Sequence, residues 1–241
     1  EGRLIVCTPR AGPVIDLASH LRIQAHANAL ANRRLHAALA ALSPEELRAR
    51  NREWLALLSG PARVKVSSQK GTSLEFSIGR HGVRTDDGCI WNKGEIGNLP
   101  AGEVASAPDP GSANGAIVID GPIGGQPWQP GGDPATVLIK DGRAVSFEGS
   151  QGARELRKTL AEVGDNAFVL AEFGVGTNPA LRLGGNLLED EKVSGTVHFA
   201  FGSNAGLGGD NNVPVHIDCV VTAPDVALPD RVLMKNGKWS F

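Results

Sequence analysis

The run Val213-Pro-Val-His-Ile-Asp-Cys-Val-Val221 reads as a β-strand, and its alternation decides the fold. Successive strand side chains point to opposite faces, so Val215, Ile217, Cys219 and Val221 share one side. His216 and Asp218 share the other. Thr196-Val-His-Phe-Ala-Phe201 repeats the arrangement, with Val197, Phe199 and Phe201 toward a core and His198 opposite. In Phe168-Val-Leu-Ala-Glu-Phe173 the single carboxylate of Glu172 interrupts an apolar run, where burial is costly unless a proton, a partner or a metal compensates it. The strands over 167–173, 195–201 and 213–221 therefore carry the chemistry on the faces turned away from a core.

Upstream, the same period of two recurs in Ala62-Arg-Val-Lys-Val66 and Ser73-Leu-Glu-Phe-Ser-Ile78, joined by the turn Lys70-Gly-Thr72. Ala116-Ile-Val-Ile-Asp120 follows, then a Gly/Pro-rich loop over 121–134, then Thr136-Val-Leu-Ile-Lys140. Asp141-Gly142 predicts a hairpin into Ala144-Val-Ser-Phe147, and a helix is expected from Ser150 to Val163, stopped by Gly164. Ahead of these strands the period is helical. Apolar residues at 14, 17, 18 and 21 and again at 35, 38, 39 and 42 lie on one helical face. Ser43-Pro-Glu-Glu46 then supplies a cap, a first-turn proline and a capping-box glutamate for a second helix ending at Gly60-Pro61. The fold class is α/β, with α+β as the alternative. A helical segment over 1–60 is expected to pack on a strand-rich mixed-sheet body over 61–241, one compact unit with a metal site on neighbouring C-terminal strands.

Composition narrows the function. The 241 residues are 41% hydrophobic and 21% charged, which excludes wholesale disorder. Lys plus Arg is 24 against 26 for Asp plus Glu, so the basic surplus of a nucleic-acid or anionic-membrane binder is missing. No apolar run approaches the roughly 20 residues of a membrane span, and no signal-peptide pattern opens the chain. Cys7, Cys89 and Cys219 form neither a disulfide framework nor a Cys-x-x-Cys site, so a reducing cytoplasm is expected. His20, His26 and His36 read as solvated. The chain holds no tyrosine, and it begins at Glu1 rather than Met, which reads as a trimmed start. It lacks a Gly-x-Ser-x-Gly elbow and a Walker loop, and Gly174-Val-Gly-Thr-Asn-Pro179 lacks the third glycine of a dinucleotide fingerprint.

Two imidazoles and two carboxylates on neighbouring strands form a donor set for zinc, cobalt, manganese or iron(II). The alternative is a His–Asp hydrogen bond that satisfies two half-buried groups. Glu103, after the flexible Gly102, and the run Glu189-Asp-Glu191 are further acids. Spacing alone reads them as a turn and a solvated acidic loop.

Asn98-Leu-Pro-Ala-Gly-Glu-Val104, Glu172-Phe-Gly-Val-Gly-Thr-Asn-Pro179, Glu189-Asp-Glu-Lys192, Gly195-Thr-Val-His-Phe-Ala-Phe-Gly202 and His216-Ile-Asp218 stand in the order of the thermophilic-type metalloaminopeptidases, which the chain resembles over 60–235. The same motifs are similar to those of the 2,5-dihydroxypyridine dioxygenase branch of that superfamily, which uses iron. The peptidase resemblance implies that Glu103, Glu172, His198, His216 and Asp218 are the ligands of one or two zinc, cobalt or manganese ions, with Glu172 bridging. It makes Glu191 the nearest general acid/base. The leading expectation is an aminopeptidase-type hydrolase that cleaves a small peptide or amide with metal-activated water. The alternatives are an iron(II) ring-cleaving dioxygenase, held by His198, His216 and Asp218 or Glu172, and a catalytically weakened peptide-binding or partner protein. The resemblance further implies a homodimer and an additional N-terminal region, in the same chain or as a separate partner. One departure stands against the peptidases. Their catalytic tyrosine follows the first histidine, where this chain has Ser203-Asn-Ala-Gly-Leu207. Losing a positioned donor of that kind costs on the order of 10²–10³ in rate.

Overall fold

The computed structural model describes residues 43–89 and 98–241. The expected helical face over 14–42 lies outside the described residues, and so do Cys7, His20, His26, His36 and Trp91. The chain's first described helix, α1 (Pro44–Leu58), begins as its sequence dictates. Ser43 Oγ accepts the Glu46 N–H at 3.2 Å, and the Glu46 carboxylate accepts the Ser43 N–H at 2.7 Å, which closes a capping box. Its inner face buries Leu47, Trp54 and Leu58. Trp54 meets the rings of Trp239 and Phe241 edge-on at 5.8 and 5.3 Å, tying this helix to the C-terminal end of the chain.

The rest is strand-rich, with two further helices, α2 (Gln151–Val163) and the single turn α3 (Leu187–Asp190). The strands are β1 (Ala62–Ser67), β2 (Ser73–Ile78), β3 (Arg84–Asp86), β4 (Glu103–Ser106), β5 (Asn114–Ile119), β6 (Ala135–Lys140), β7 (Arg143–Gly149), β8 (Leu170–Gly176), β9 (Thr196–Gly202), β10 (His216–Thr222), β11 (Asp225–Leu228), β12 (Arg231–Lys235) and β13 (Lys238–Trp239). They form an eight-stranded sheet in the order β13-β12-β11-β1-β2-β5-β6-β7 and a five-stranded sheet in the order β10-β9-β8-β4-β3. Every ladder within them is antiparallel, so the α/β class takes its α+β form.

The two sheets bury their facing sides on each other. Phe76 of β2 lies 5.0 Å from Phe173 of β8 and 6.1 Å from Phe199 of β9, ring centre to ring centre. Each such fully buried ring contributes about 1.5–3 kcal/mol. Helix α2 adds Ala153, Leu156 and Leu160 to the same core. Val197, Phe199, Phe201, Cys219 and Val221 all belong to it, as their alternation requires. His198, Glu172, His216 and Asp218 are thereby turned to the opposite face of the five-stranded sheet. The segment from Thr177 to Gly195 covers part of that face. It is anchored where Asn178 Nδ2 donates to the Ala101 carbonyl at 2.8 Å and its backbone bridges Val193.

Candidate metal centre

Register brings the acids and imidazoles together. Ala200, at the middle of β9, stands opposite Asp218 on one side and Glu172 on the other. Its small side chain leaves open the space above it, and the two longer carboxylates converge there. One step along, His198 stands opposite Gly174 of β8. A Cβ at Gly174 would lie 2.0 Å from His198 Nε2, so only glycine lets the ring lie flat over that strand. Glu103 enters from the first position of β4, opposite Gly176. It is largely buried rather than the solvated turn residue its spacing suggests. Asp190 and Glu191 are buried as well, and not part of a solvated loop. Asp190 accepts the N–H groups of Gly184 and Gly185, at 2.7 Å each, and so fixes α3 against its own leading loop.

The two histidines are oriented alike. His198 Nδ1 lies 3.1 Å from the Glu191 carbonyl, and His216 Nδ1 lies 2.7 Å from the Ser203 carbonyl. A carbonyl oxygen only accepts, so both Nδ1 atoms carry the proton and both Nε2 atoms are left as donors toward a cation. Both Nε2 atoms face one carboxylate: His198 is 3.3 Å from Glu172 Oε1 and His216 is 2.9 Å from Glu172 Oε2. Two lone pairs at such a distance repel unless a proton or a cation joins them. Asp218 lies 3.4 Å from His216 Nε2, and Glu103 lies 3.4 Å from His198 Nε2. Two donor sets result, Glu103–Glu172–His198 and Glu172–His216–Asp218, with Glu172 common to both. All five expected ligands are therefore brought together, and Glu191 lines the same cavity of about 280 Å³ with Asn98, Leu187 and Leu188.

Charge supports the fit. Among the described residues, Glu103, Glu172, Glu191 and Asp218 are answered by one permanent cation, Lys192, which is buried and lies 2.7 Å from Glu103 and against Glu191. Burial disfavours the Lys192 ammonium, yet the two carboxylates outweigh it and hold it firmly charged. Burial pushes Glu103 up. Burial and the charge of Asp218 push Glu191 up to about 7. Glu172 runs the other way: burial disfavours its charge, but both imidazoles hold its carboxyl well below the usual range. Burial likewise disfavours imidazolium, and the neighbouring carboxylates overcome it, raising His198 to about 9 and His216 to about 11. A surplus of buried negative charge facing two Nε2 atoms is the environment a divalent cation neutralises.

These shifts set a pH dependence. The imidazoles' values are raised above 6.5, so their contribution to the metal-free fold is complete below about pH 6.5 and is lost as pH rises through 9 and 11. That of Glu172 is lowered, so its contribution is present above 4.5 and is lost in acid. The chelated protein should melt progressively lower between pH 7 and 10. Divalent cation binding at pH 7.5 should release roughly two protons, read by calorimetry in buffers of different ionisation enthalpy. Release of no protons would place the cation elsewhere.

Leu187 and Leu188 carry no sequence signal for this role, and Lys192 closes the Glu189-Asp-Glu-Lys192 motif with nothing local to mark it as buried. A lysine beside three acids reads as solvated surface, and only the covering segment's path buries it. Trp54 and Trp239 are packing residues, whereas Trp128 lines a separate cleft.

Fold and donor set together define a candidate metal-binding group built on one face of a small antiparallel sheet. The family model described as NicX, 2,5-dihydroxypyridine 5,6-dioxygenase, matches residues 24–240, and the chain belongs to that family. The 2,5-dihydroxypyridine 5,6-dioxygenase of Pseudomonas putida strain KT2440 is 24% identical over 192 residues, which is 75% of this chain and 55% of that protein. The structure of the 2,5-dihydroxypyridine dioxygenase from Pseudomonas putida KT2440 superposes with a TM-score of 0.74 at 20% identity, over 83% of this chain and 60% of that one. Wild-type AmpT from Thermus thermophilus superposes with a TM-score of 0.60 at 24% identity, over 81% of this chain and 55% of that one. The chain thus spans little more than half the length of these relatives. The aminopeptidase expectation, with its hydrolase and metalloprotease character, is corrected by the family match. Two histidines with carboxylates serve oxidative and hydrolytic centres alike, so the ligands alone never separated the two readings. Among the described residues no helix is long and apolar enough to cross a membrane.

Proposed function

We propose that this chain carries the metal centre of an iron(II)-dependent dioxygenase that opens a hydroxylated pyridine ring. The observation behind this reading is that two imidazoles, each locked with Nδ1–H on a backbone carbonyl, turn Nε2 toward a single shared carboxylate. Family membership supports iron among the cations such a set accepts. Glu172, His216 and Asp218 would hold it, with His198 on the other oxygen of Glu172. Iron bound there supplies the redox chemistry that ring opening by dioxygen requires. The chain's own residues orient the ring and handle its protons. Glu191 has one oxygen fixed by Lys192, and the other can take the proton of a ring hydroxyl as the substrate docks. Lys192 holds Glu103 and Glu191 apart from the iron-binding set, and Leu187 and Leu188 offer the apolar surface on which a ring face rests.

Elemental analysis and oxygen uptake test this together. Protein purified without chelator should hold about one equivalent of iron per chain and consume oxygen with 2,5-dihydroxypyridine. Glu103→Ala should keep that iron while melting lower, since Lys192 loses a charged partner at a cost of about 1–3 kcal/mol. Two equivalents of metal in the parent, falling to one in Glu103→Ala, would overturn the single-iron assignment. Absence of oxygen uptake by the iron-loaded protein would overturn the ring-opening reading.

A further inference from the structure

Beside the metal pocket of about 280 Å³ lies a wider cleft of about 950 Å³, walled by the loop around Trp128, the start of α2 and the entry to β10. Leu187 and His216 line both. His216 belongs to the donor set, so Leu187 is the side chain free to set how far the small pocket extends. From this placement we infer that Leu187 is the partition that limits the enzyme to single-ring substrates, an inference that rests on the ring-substrate reading above.

The partition is built, not incidental. Leu187 opens α3, whose turn is closed by the Glu191 N–H on the Leu187 carbonyl at 3.0 Å. The same turn is clamped from behind by the Asp190 carboxylate on Gly184 and Gly185. Opposite it, Gly124 donates its N–H to the Asp218 carbonyl at 2.9 Å, which ties the loop to the metal-bearing strand. A Cβ at Gly124 would stand 3.1 Å from Leu187 Cδ2 and 3.2 Å from Ile217 Cγ2, so the glycine lets the loop close directly onto the leucine. Loop, Leu187 and Ile217 together form a wall with the metal on one side and the cleft on the other. A cavity on the order of 150 Å³ suffices for a benzene-sized ring. The small pocket has room for one hydroxylated ring beside an ion, and on the side toward the cleft a fused second ring meets Leu187. Shortening that side chain joins the pocket to the cleft.

The test compares 2,5-dihydroxypyridine with its benzo-fused counterpart, 1,4-dihydroxyisoquinoline, on iron-loaded wild type, Leu187→Val, Leu187→Ala and Leu188→Ala. Equilibrium binding without oxygen is measured by calorimetry, and turnover by oxygen uptake. Wild type should prefer the single ring, and the preference should shift toward the bicycle in the order Val then Ala, by about tenfold or more in Leu187→Ala. Leu188 lines the metal pocket but not the cleft, so Leu188→Ala should weaken both rings alike. An unchanged ratio in both Leu187 variants, or a wild type that already accepts the bicycle equally, would overturn the partition. Rings that bind with the expected shift in ratio but are never cleaved would overturn the dioxygenase reading and leave the partition standing. Failure of every protein to bind either ring would overturn both.

Discussion

Glu172→Gln should give a folded chain that no longer retains its metal. The substitution keeps the side chain's shape but removes the charge that both imidazoles face, at 3.3 Å for His198 and 2.9 Å for His216. Each of the two possible donor sets contains Glu172, so neither survives intact, whereas loss of Glu103 or Asp218 spares one. Even an outer partner of a metal ligand is typically worth 10–100-fold in affinity, so loss of the shared ligand should cost at least on the order of 10²-fold. Elemental analysis after dialysis should find no stoichiometric iron, and circular dichroism should still show the native strand content. The metal-free variant offers a second readout. His198 and His216 owe much of their elevation to Glu172, so their titration, followed by NMR, should move down from about 9 and 11 toward 6.5. A variant that kept its iron with unmoved histidines would show that the cation is held by other residues.

What the sequence reveals and what it hides follow from the same physics. Alternation over 213–221 and 196–201 was enough to turn His216, Asp218 and His198 away from the core, because a register slip of one residue would expose Phe199, Phe201 and Val221. The strand starts at His216 rather than Val213, a shift that leaves the faces as read. The capping box at Ser43 and the turn at Asp141-Gly142 were equally legible, being local hydrogen-bond chemistry. Short strands were not. β3, β4 and the three strands after Pro224 lack a run long enough for periodicity, and they exist because neighbouring strands offer them ladders. Glu103 was misread for that reason: its burial comes from pairing across β4 to Gly176. Lys192 and Glu191 depended on how the 177–195 segment folds over the sheet, which no local pattern states.

The chemistry divides along the same line. Donor types are written in the sequence, and the order of motifs is enough to bring out a resemblance to two kinds of enzyme. The choice between hydrolytic and oxidative work is not written in the ligands, because the ion and the surrounding pocket decide it. In this fold the pocket's character comes from residues whose burial no local pattern states: a lysine that occupies Glu103 and Glu191, and two leucines on a single helical turn.

Gly174→Ala tests whether the close approach of strand and imidazole is what places the second histidine. The added methyl would sit 2.0 Å from His198 Nε2, 2.2 Å from Cε1 and 2.7 Å from Cδ2, so it overlaps the ring rather than crowding its edge. The imidazole is fully buried, with Nδ1 on the Glu191 carbonyl, and cannot rotate without breaking that bond. Two responses are open. The ring can tilt out of reach of Glu172, or β8 and β9 can part along their ladder, where Gly174 and His198 are direct partners. Overpacking of this kind costs about 1–3 kcal/mol. For a chain of 241 residues a loss of that size lowers the melting temperature by roughly 2–12 °C. The native fold should still form, because the core on the other face, Phe173 with Phe199 and Phe76, is untouched. Metal affinity should fall at least tenfold, with His216 and Asp218 still in place to hold what remains. His198→Ala in the Gly174→Ala background separates the responses: it should recover most of the lost melting temperature, since the methyl then fills the space of the missing ring, without recovering metal binding. If Gly174→Ala instead kept full iron content and an unchanged melting curve, His198 would have to lie elsewhere than over β8, and Glu172, His216 and Asp218 would hold the iron without its support.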